Sequence, residues 1–115
     1  MNTPLQTLVQ TTEFQRRAMD LLTEAEIMDL QTMIAADPEC GDLIKEGGGI
    51  RKVRFALRGR GKSGGVRVIY YYHSRNVPIF LLTLFAKNEK ANLSKAERNA
   101  LAAVAKRIAN AYGAE

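Results

Sequence analysis

Three strand-like segments follow one another in the middle of the chain, and they constrain the fold more than any other feature. Apolar and polar residues alternate along 50–57, β-branched and aromatic residues dominate 66–73, and 78–85 is apolar at nearly every position. Alternation is typical of a half-buried strand, and a continuous apolar run of a strand buried on both faces. A loop over 58–65 and a tight turn near 74–76 join them, which predicts an antiparallel meander. Residues 5–10 are either a short first strand or an extended lead-in.

Helical segments flank these strands on both sides. Apolar residues recur at helical spacing from position 12, and Thr23 with Glu26 forms a capping box that starts a second helix. The Asp-Pro pair at 37–38 ends that helix, because proline disfavours helical geometry in the residue before it. Ser94 with Glu97 is a further capping box, which starts a C-terminal helix. We therefore predict an α+β fold of N-terminal helices, an antiparallel β-meander of three to four strands and a C-terminal helix, with the helices on one sheet face.

Length and composition indicate a single domain over 1–115. The chain has 115 residues, of which 46% are hydrophobic and 25% charged, as is usual for a globular protein. Apolar runs fall short of the roughly 18–20 residues that cross a bilayer, and the N-terminal residues do not have the pattern of a secretory signal. Cys40 and His73 are the single cysteine and the single histidine, which excludes a disulfide framework and argues against a zinc site. We expect a cytoplasmic protein that uses no metal or other cofactor.

The positive charge is concentrated in the second half of the chain. Residues 1–45 carry three basic and eight acidic side chains, a net charge of −5, whereas 46–115 carry fourteen basic and four acidic ones, a net of +10. Seven of these cations lie within 51–67, a stretch without an acidic residue. Crowded like charges repel one another, so a polyanion such as nucleic acid is the expected partner. The plainer alternative is a well-solvated basic pair of strands.

Four of the cations make up a candidate site. Lys52 and Arg54 share a sheet face, because they are two residues apart on one strand. Arg67 joins that face only if paired positions on the two strands sum to an odd number, as they do if Arg54 lies opposite Arg67. Two opposed arginines are unfavourable without an anion between them, so such a patch suits a phosphate group. Lys87, just past the last strand, can reach in from the end of the sheet.

The glycine-rich stretch at 58–65 does not fit the sequence pattern of a nucleotide-binding P-loop. Its Gly-Lys-Ser at 61–63 looks like the end of that motif, but position 56 is alanine and a strand, not a helix, follows. Glycines instead let the backbone approach a phosphate chain closely. The three cations of the loop are then RNA-binding candidates: Arg58, Arg60 and Lys62.

Aromatic and histidine side chains offer weaker candidates. Histidine side chains can act as general bases, so His73 is a candidate for that role, although a structural or solvent-facing role at a strand end is commoner. The three tyrosines at 70–72 alternate between the sheet faces. At least one is expected in the core, and another, Tyr71, is a candidate for stacking on an RNA base.

Three stretches of the sequence resemble toxins of the RelE superfamily, most closely its HigB-type branch. They read GGIRKVRF at 48–55, GRGKSGGVRVIYYY at 59–72 and LTLFAKNE at 82–89. The resemblance implies a small RelE-like α+β toxin that enters the ribosomal A site and cleaves mRNA without a metal. It also implies a cognate antitoxin, expected here to be of the helix-turn-helix type. By the same resemblance, Arg67 matches the arginine that contacts the scissile phosphate, and the matching cations around it are Lys52, Arg54 and Lys87.

The sequence hypothesis is therefore a ribosome-dependent mRNA endoribonuclease, the toxin of a type II toxin–antitoxin pair. The 2′-hydroxyl of one nucleotide would attack the adjacent phosphate, with Arg54 and Arg67 compensating the charge that develops there. Lys52 or Lys87 would transfer protons, since neighbouring cations favour a neutral amine. RNA contacts are expected from five further residues: Arg58, Arg60, Lys62, Tyr71 and Lys90. Two alternatives stay open, a non-catalytic toxin of the ParE kind that poisons gyrase and a basic RNA-binding module.

Overall fold

A single mixed sheet organises the computed structural model, which describes residues 5–57 and 65–113. Its elements, in chain order, are β1 (Leu8–Gln10), α1 (Thr12–Leu21), α2 (Glu24–Ala36), β2 (Asp42–Leu43), β3 (Ile50–Phe55), β4 (Val66–Tyr71), β5 (Ile79–Ala86) and α3 (Lys95–Ala111). The strand order is β1-β5-β4-β3-β2. β1 is parallel to β5 and the other neighbours are antiparallel. The predicted α+β fold with a meander of β3, β4 and β5 is confirmed.

The sheet of the described residues has five strands, where the sequence predicted three to four. The strand that was missed is β2, whose two residues are too few to show a period-two pattern. Asp42 pairs with Lys52 and Leu43 with Arg51, so β2 covers only the first part of the outer edge of β3. A glycine with a φ of 102° lies in the turn between these strands, at Gly49, a backbone geometry that other residues rarely adopt.

Local signals in the sequence set the helix boundaries. Both predicted capping boxes are present, one from Thr23 and Glu26 and one from Ser94 and Glu97. α2 ends at Ala36, with Asp37 as its C-cap before the proline. In the described part of the chain, every helix is too short or too polar to span a bilayer.

The helices cover both faces of the sheet, so the prediction that they lie on one face is wrong. On one face α1 and α2 bury Phe14 and Leu30 against β4 and β5. On the other face α3 packs with Ala105 over Ile69 and Phe85. The physical reason lies in β4, where residues of both parities are apolar. Successive side chains point to opposite faces, so each face needs its own cover.

A buried tyrosine holds the segment before β2 against the sheet. The hydroxyl of Tyr70 donates to the carbonyl of Pro38 at 2.7 Å and accepts from the backbone N–H of Gly41 at 2.8 Å. A Cβ at Gly41 would lie 2.9 Å from that hydroxyl oxygen, so glycine is needed for the close approach. Burial raises the pKa of the Tyr70 hydroxyl, which favours its neutral form. Tyr70 thus positions the chain that enters β2 and, next to it, β3.

Candidate active site

The register between β3 and β4 brings three of the predicted site cations onto one face of the sheet. Arg54 pairs with Arg67 and Lys52 pairs with Ile69. Directly paired residues share a face and their Cα atoms lie about 4.5–5.5 Å apart. Ile69 is buried under α3, so Lys52, Arg54 and Arg67 all belong to the α3 face. Arg54 therefore lies opposite Arg67, which is the pairing that a shared face requires.

The two opposed arginines place two positive charges side by side at the end of the sheet where β3 ends and β4 begins, and Arg54 also lines a cavity with Glu26 and Asp29 of α2. Arg54 is exposed and Arg67 is half-buried. Partial burial lowers the pKa of Arg67, and the charge of Arg54 lowers it further. Guanidinium groups nevertheless stay protonated in proteins, so both residues remain cations. Directly opposed like charges destabilise a sheet, whereas a phosphate between them accepts hydrogen bonds from both.

Lys52 is held by a residue from outside the sheet. Its Nζ donates to Oδ1 of Asn92 at 2.9 Å. Asn92 lies between β5 and α3, in the segment 87–94, so this bond ties that segment to β3. Sequence reasoning missed Asn92, because nothing in its local pattern distinguishes it from other polar loop residues.

Lys87 lies at the same end of the sheet as the arginine pair. It follows Ala86, the last residue of β5, and its side chain is exposed. Its backbone N–H donates to the carbonyl of Gly65 at 3.2 Å, next to the start of β4. Arg67 is two residues beyond Gly65 and pairs with Phe85. Lys87 is therefore placed at the rim of the site.

An ion pair with α1 fixes the turn that carries Lys87. Oε1 of Glu89 accepts from the backbone N–H of Ala86 at 2.9 Å and from Nη2 of Arg17 at 2.6 Å. Arg17 also donates from Nε to the carbonyl of Leu84 at 3.0 Å, on the edge of β5. The backbone bond from Ala86 and the pairing with Arg17 lower the pKa of Glu89. This network, which the sequence did not suggest, anchors the turn from α1.

Lys90, a predicted RNA contact, is engaged within the protein. Its ammonium pairs with the carboxylate of Glu97 and lies 5.0 Å from the ring centroid of Phe85. The hydrogen bond from Lys90 lowers the pKa of Glu97, and the capping bond from Ser94 adds to this. Lys90 thereby connects the segment 87–94 to the first turn of α3.

The prediction that Tyr71 stacks on an RNA base is wrong. Only 4% of Tyr71 is exposed, and its ring packs under α3. It lies four residues along β4 from Arg67, about 13 Å away. His73 is at that same distant end, with Nδ1 3.5 Å from the Tyr71 hydroxyl. The loop candidates Arg58, Arg60 and Lys62 lie outside the described residues.

The arrangement on the α3 face is suited to phosphate chemistry that relies on cations. It combines the guanidiniums of two paired residues, a lysine oriented by an amide and a second lysine at the rim. Over 5–57 and 65–113, no group of three or more histidine, cysteine or acidic side chains is placed to hold a metal. Charge stabilisation at a phosphate and proton transfer by amines are the contributions that these side chains can make.

Comparison with protein families gives one match that spans almost the whole chain. The model described as "RelE toxin of RelE / RelB toxin-antitoxin system" matches residues 7–115. The matched range begins just before β1 and extends past the end of α3, so it includes every strand and helix described above.

Proposed function

This chain belongs to the RelE family of toxins of toxin–antitoxin systems, and on that basis we propose that it is a ribosome-dependent mRNA endoribonuclease that inhibits translation. The observation that carries the proposal is the direct pairing of Arg54 with Arg67, with Lys52 on the same face. Two directly opposed guanidiniums repel each other, and an anion bound between them relieves that repulsion. The scissile phosphate of a messenger is that anion.

In the proposed reaction, the 2′-hydroxyl of one nucleotide attacks the adjacent phosphorus and the bond to the 5′-oxygen breaks. The products are a 2′,3′-cyclic phosphate and a free 5′-hydroxyl. Arg54 and Arg67 bind the non-bridging oxygens, where negative charge accumulates in the transition state. Proton transfer is assigned to the two lysines: one takes the proton of the 2′-hydroxyl, and the other gives a proton to the departing oxygen. Asn92 orients Lys52 for this step.

The partners of the proposed reaction follow from its setting. The ribosome presents the messenger in its A site, which places the activity in the cytoplasm. Membership in the family implies a cognate antitoxin. We assign that antitoxin to the helix-turn-helix type and the toxin to the HigB-type branch, from the resemblance at 48–55, 59–72 and 82–89.

The decisive experiment combines growth inhibition with mapping of cleavage on a translated message. Arg67→Ala is compared with Arg75→Ala, an exposed arginine in the turn before β5. We expect primer extension to show cuts at codon edges for the wild type and for Arg75→Ala. We expect Arg67→Ala to produce no cuts and no growth inhibition while still binding the antitoxin. Full toxicity of Arg67→Ala would remove this residue from the mechanism, and growth inhibition without cleavage would favour gyrase poisoning instead.

A further inference from the structure

A cavity lined by cations adjoins the proposed active site. It has a volume of about 280 Å³ and lies between the β2–β3 hairpin and the start of α3. Among the described residues that line it, there is no acidic side chain. The cations that line it are Lys45, Lys52, Lys95 and Arg98. We call this cavity the α3 cleft.

The cations of the α3 cleft differ in exposure and in their partners. Lys45 and Lys95 are exposed. Arg98 keeps 21% of its side chain exposed, forms an ion pair with Glu46 at 3.5 Å and donates from Nε and Nη2 to Oδ1 of Asn99. Lys52 donates from Nζ to the uncharged amide oxygen of Asn92. The cleft is therefore a concentration of positive charge that attracts an anion.

The floor of the cleft is apolar, which indicates more than a bare ion as its occupant. Ile44 and Leu93, both half-buried, line it between the cations. The capping box at the start of α3 engages the backbone N–H groups of Ser94 and Glu97, and the positive charge of the cleft is that of its side chains. A nucleotide offers both features, a phosphate for the lysines and a sugar and base edge for the floor.

Size and continuity favour one nucleotide of an RNA strand. At about 280 Å³, the cleft lies just below the roughly 300–1,000 Å³ of small-ligand sites, and it is too small for a partner helix about 10 Å wide. Lys52 lines the cleft and also faces the arginine pair, and Arg54 follows it on the same strand face at a distance of about 7 Å. A strand whose scissile phosphate lies between Arg54 and Arg67 would reach the α3 cleft at a neighbouring nucleotide.

We propose that the α3 cleft binds the nucleotide next to the scissile phosphate and so holds the messenger in register for cleavage. This inference rests on the proposed function, because it takes the arginine pair as the site of the scissile linkage. It assigns to Lys95, Arg98 and Lys45 a role in binding single-stranded RNA.

The test measures binding of the full chain to a labelled single-stranded RNA in which every 2′-hydroxyl is O-methylated, so that cleavage is blocked. Lys95→Gln/Arg98→Gln is compared with Lys106→Gln/Arg107→Gln, which removes the same charge from exposed positions further along α3. We expect the first pair to weaken binding about tenfold or more at 0.1 M salt. The slope of log K against log salt should fall by about 0.7 for each lost phosphate contact. The control should retain the wild-type slope.

The single variant Lys95→Gln guards against misfolding, because Lys95 is exposed and takes no part in the contact between Arg98 and Glu46. It should fold as the wild type does and lose about 0.7 from the slope. Wild-type binding and slope in both cleft variants would overturn the proposal. Unchanged RNA binding with loss of antitoxin binding would also overturn it, and would assign the cleft to a protein partner.

Ribosome-dependent cleavage by the same proteins separates failure of this inference from failure of the proposed function. A wild-type chain that cuts no message refutes the endoribonuclease. A wild-type chain that cuts, together with cleft variants that bind and cut as the control does, refutes the cleft alone.

Discussion

Removing the hydroxyl of Tyr70 tests how firmly the chain before β2 is held to the sheet. Tyr70→Phe keeps the ring in the core but removes the partner of the Pro38 carbonyl and of the Gly41 N–H. Tyr70 is fully buried, and the bond to Gly41 is buried with it. Water therefore cannot take the place of the hydroxyl at Gly41, whereas it can reach the half-buried Pro38.

The expected loss of stability follows from these two contacts. A buried polar group left without a partner costs about 1–3 kcal/mol. With Gly41 shielded and Pro38 partly hydrated, we expect the free energy of unfolding to fall by about 2–3 kcal/mol. For a domain of this size that corresponds to a decrease in Tm of about 8–12 °C. Urea denaturation and calorimetry measure both quantities.

The neighbouring tyrosine supplies a matched control. Tyr71 is also buried, but among the described residues its hydroxyl has only a 3.5 Å contact with Nδ1 of His73, at the limit of a hydrogen bond. Tyr71→Phe should therefore cost less than about 1 kcal/mol. Equal losses in the two variants, or a loss below about 1 kcal/mol for Tyr70→Phe, would refute the role given to the Tyr70 hydroxyl.

The pH dependence of stability provides an independent check. Because burial raises the pKa of Tyr70, folding favours its neutral hydroxyl. The stability linked to that shift is fully present below the ordinary tyrosine pKa of about 10 and is lost as the pH rises above it. The wild type should lose this stability above about pH 10, and the Tyr70→Phe variant has none of it to lose. The difference between the two proteins should therefore narrow at high pH.

Three substitutions elsewhere test the turns and the site. Gly49→Ala forces a side chain into a φ of 102° and should cost about 1–3 kcal/mol in urea denaturation; a neutral result would contradict the strain argument. Glu89→Gln should be less stable than the wild type at neutral pH. Since the pKa of Glu89 is lowered, the difference in stability between the two proteins should disappear as the pH falls below about 4. A difference that stays constant with pH would contradict the stabilising role of the Glu89 carboxylate. Asn92→Ala releases Lys52 and should lower kcat for ribosomal cleavage about tenfold with little change in KM. The control variant Asn88→Ala should keep the wild-type kcat. Equal effects of the two substitutions would exclude positioning by Asn92.

Local patterns made much of the fold predictable. The capping residues Thr23 and Ser94 act on N–H groups three residues away, so the sequence alone shows where α2 and α3 begin. Strands β3 to β5 were recognisable from their alternation or from their continuous apolar character. Two features depend on distant partners and were not recognised, the two-residue β2 and the distribution of helices over both faces.

The candidate site was predictable only where strand geometry decides it. Parity along β3 and β4 is a property of the chain, so one assumed pair, Arg54 with Arg67, was enough to place the cations on a common face. Parity alone does not say whether the sheet face that carries Tyr71 is covered or exposed. The position of α3 shows that the ring of Tyr71 is covered. Asn92 reaches Lys52 across forty residues, a contact that no local pattern encodes.

In the described residues, the central sheet separates two apolar layers. The layer under α1 and α2 contains Phe14 and Tyr70, and the layer under α3 contains Ile69 and Phe85. The α1–α2 side nevertheless meets the arginine pair at the edge of the sheet, where Arg54 lines a cavity together with Glu26 and Asp29 of α2. A change of charge at Glu26 or Asp29 would therefore act on Arg54 directly, although both residues belong to a helix on the opposite face of the sheet.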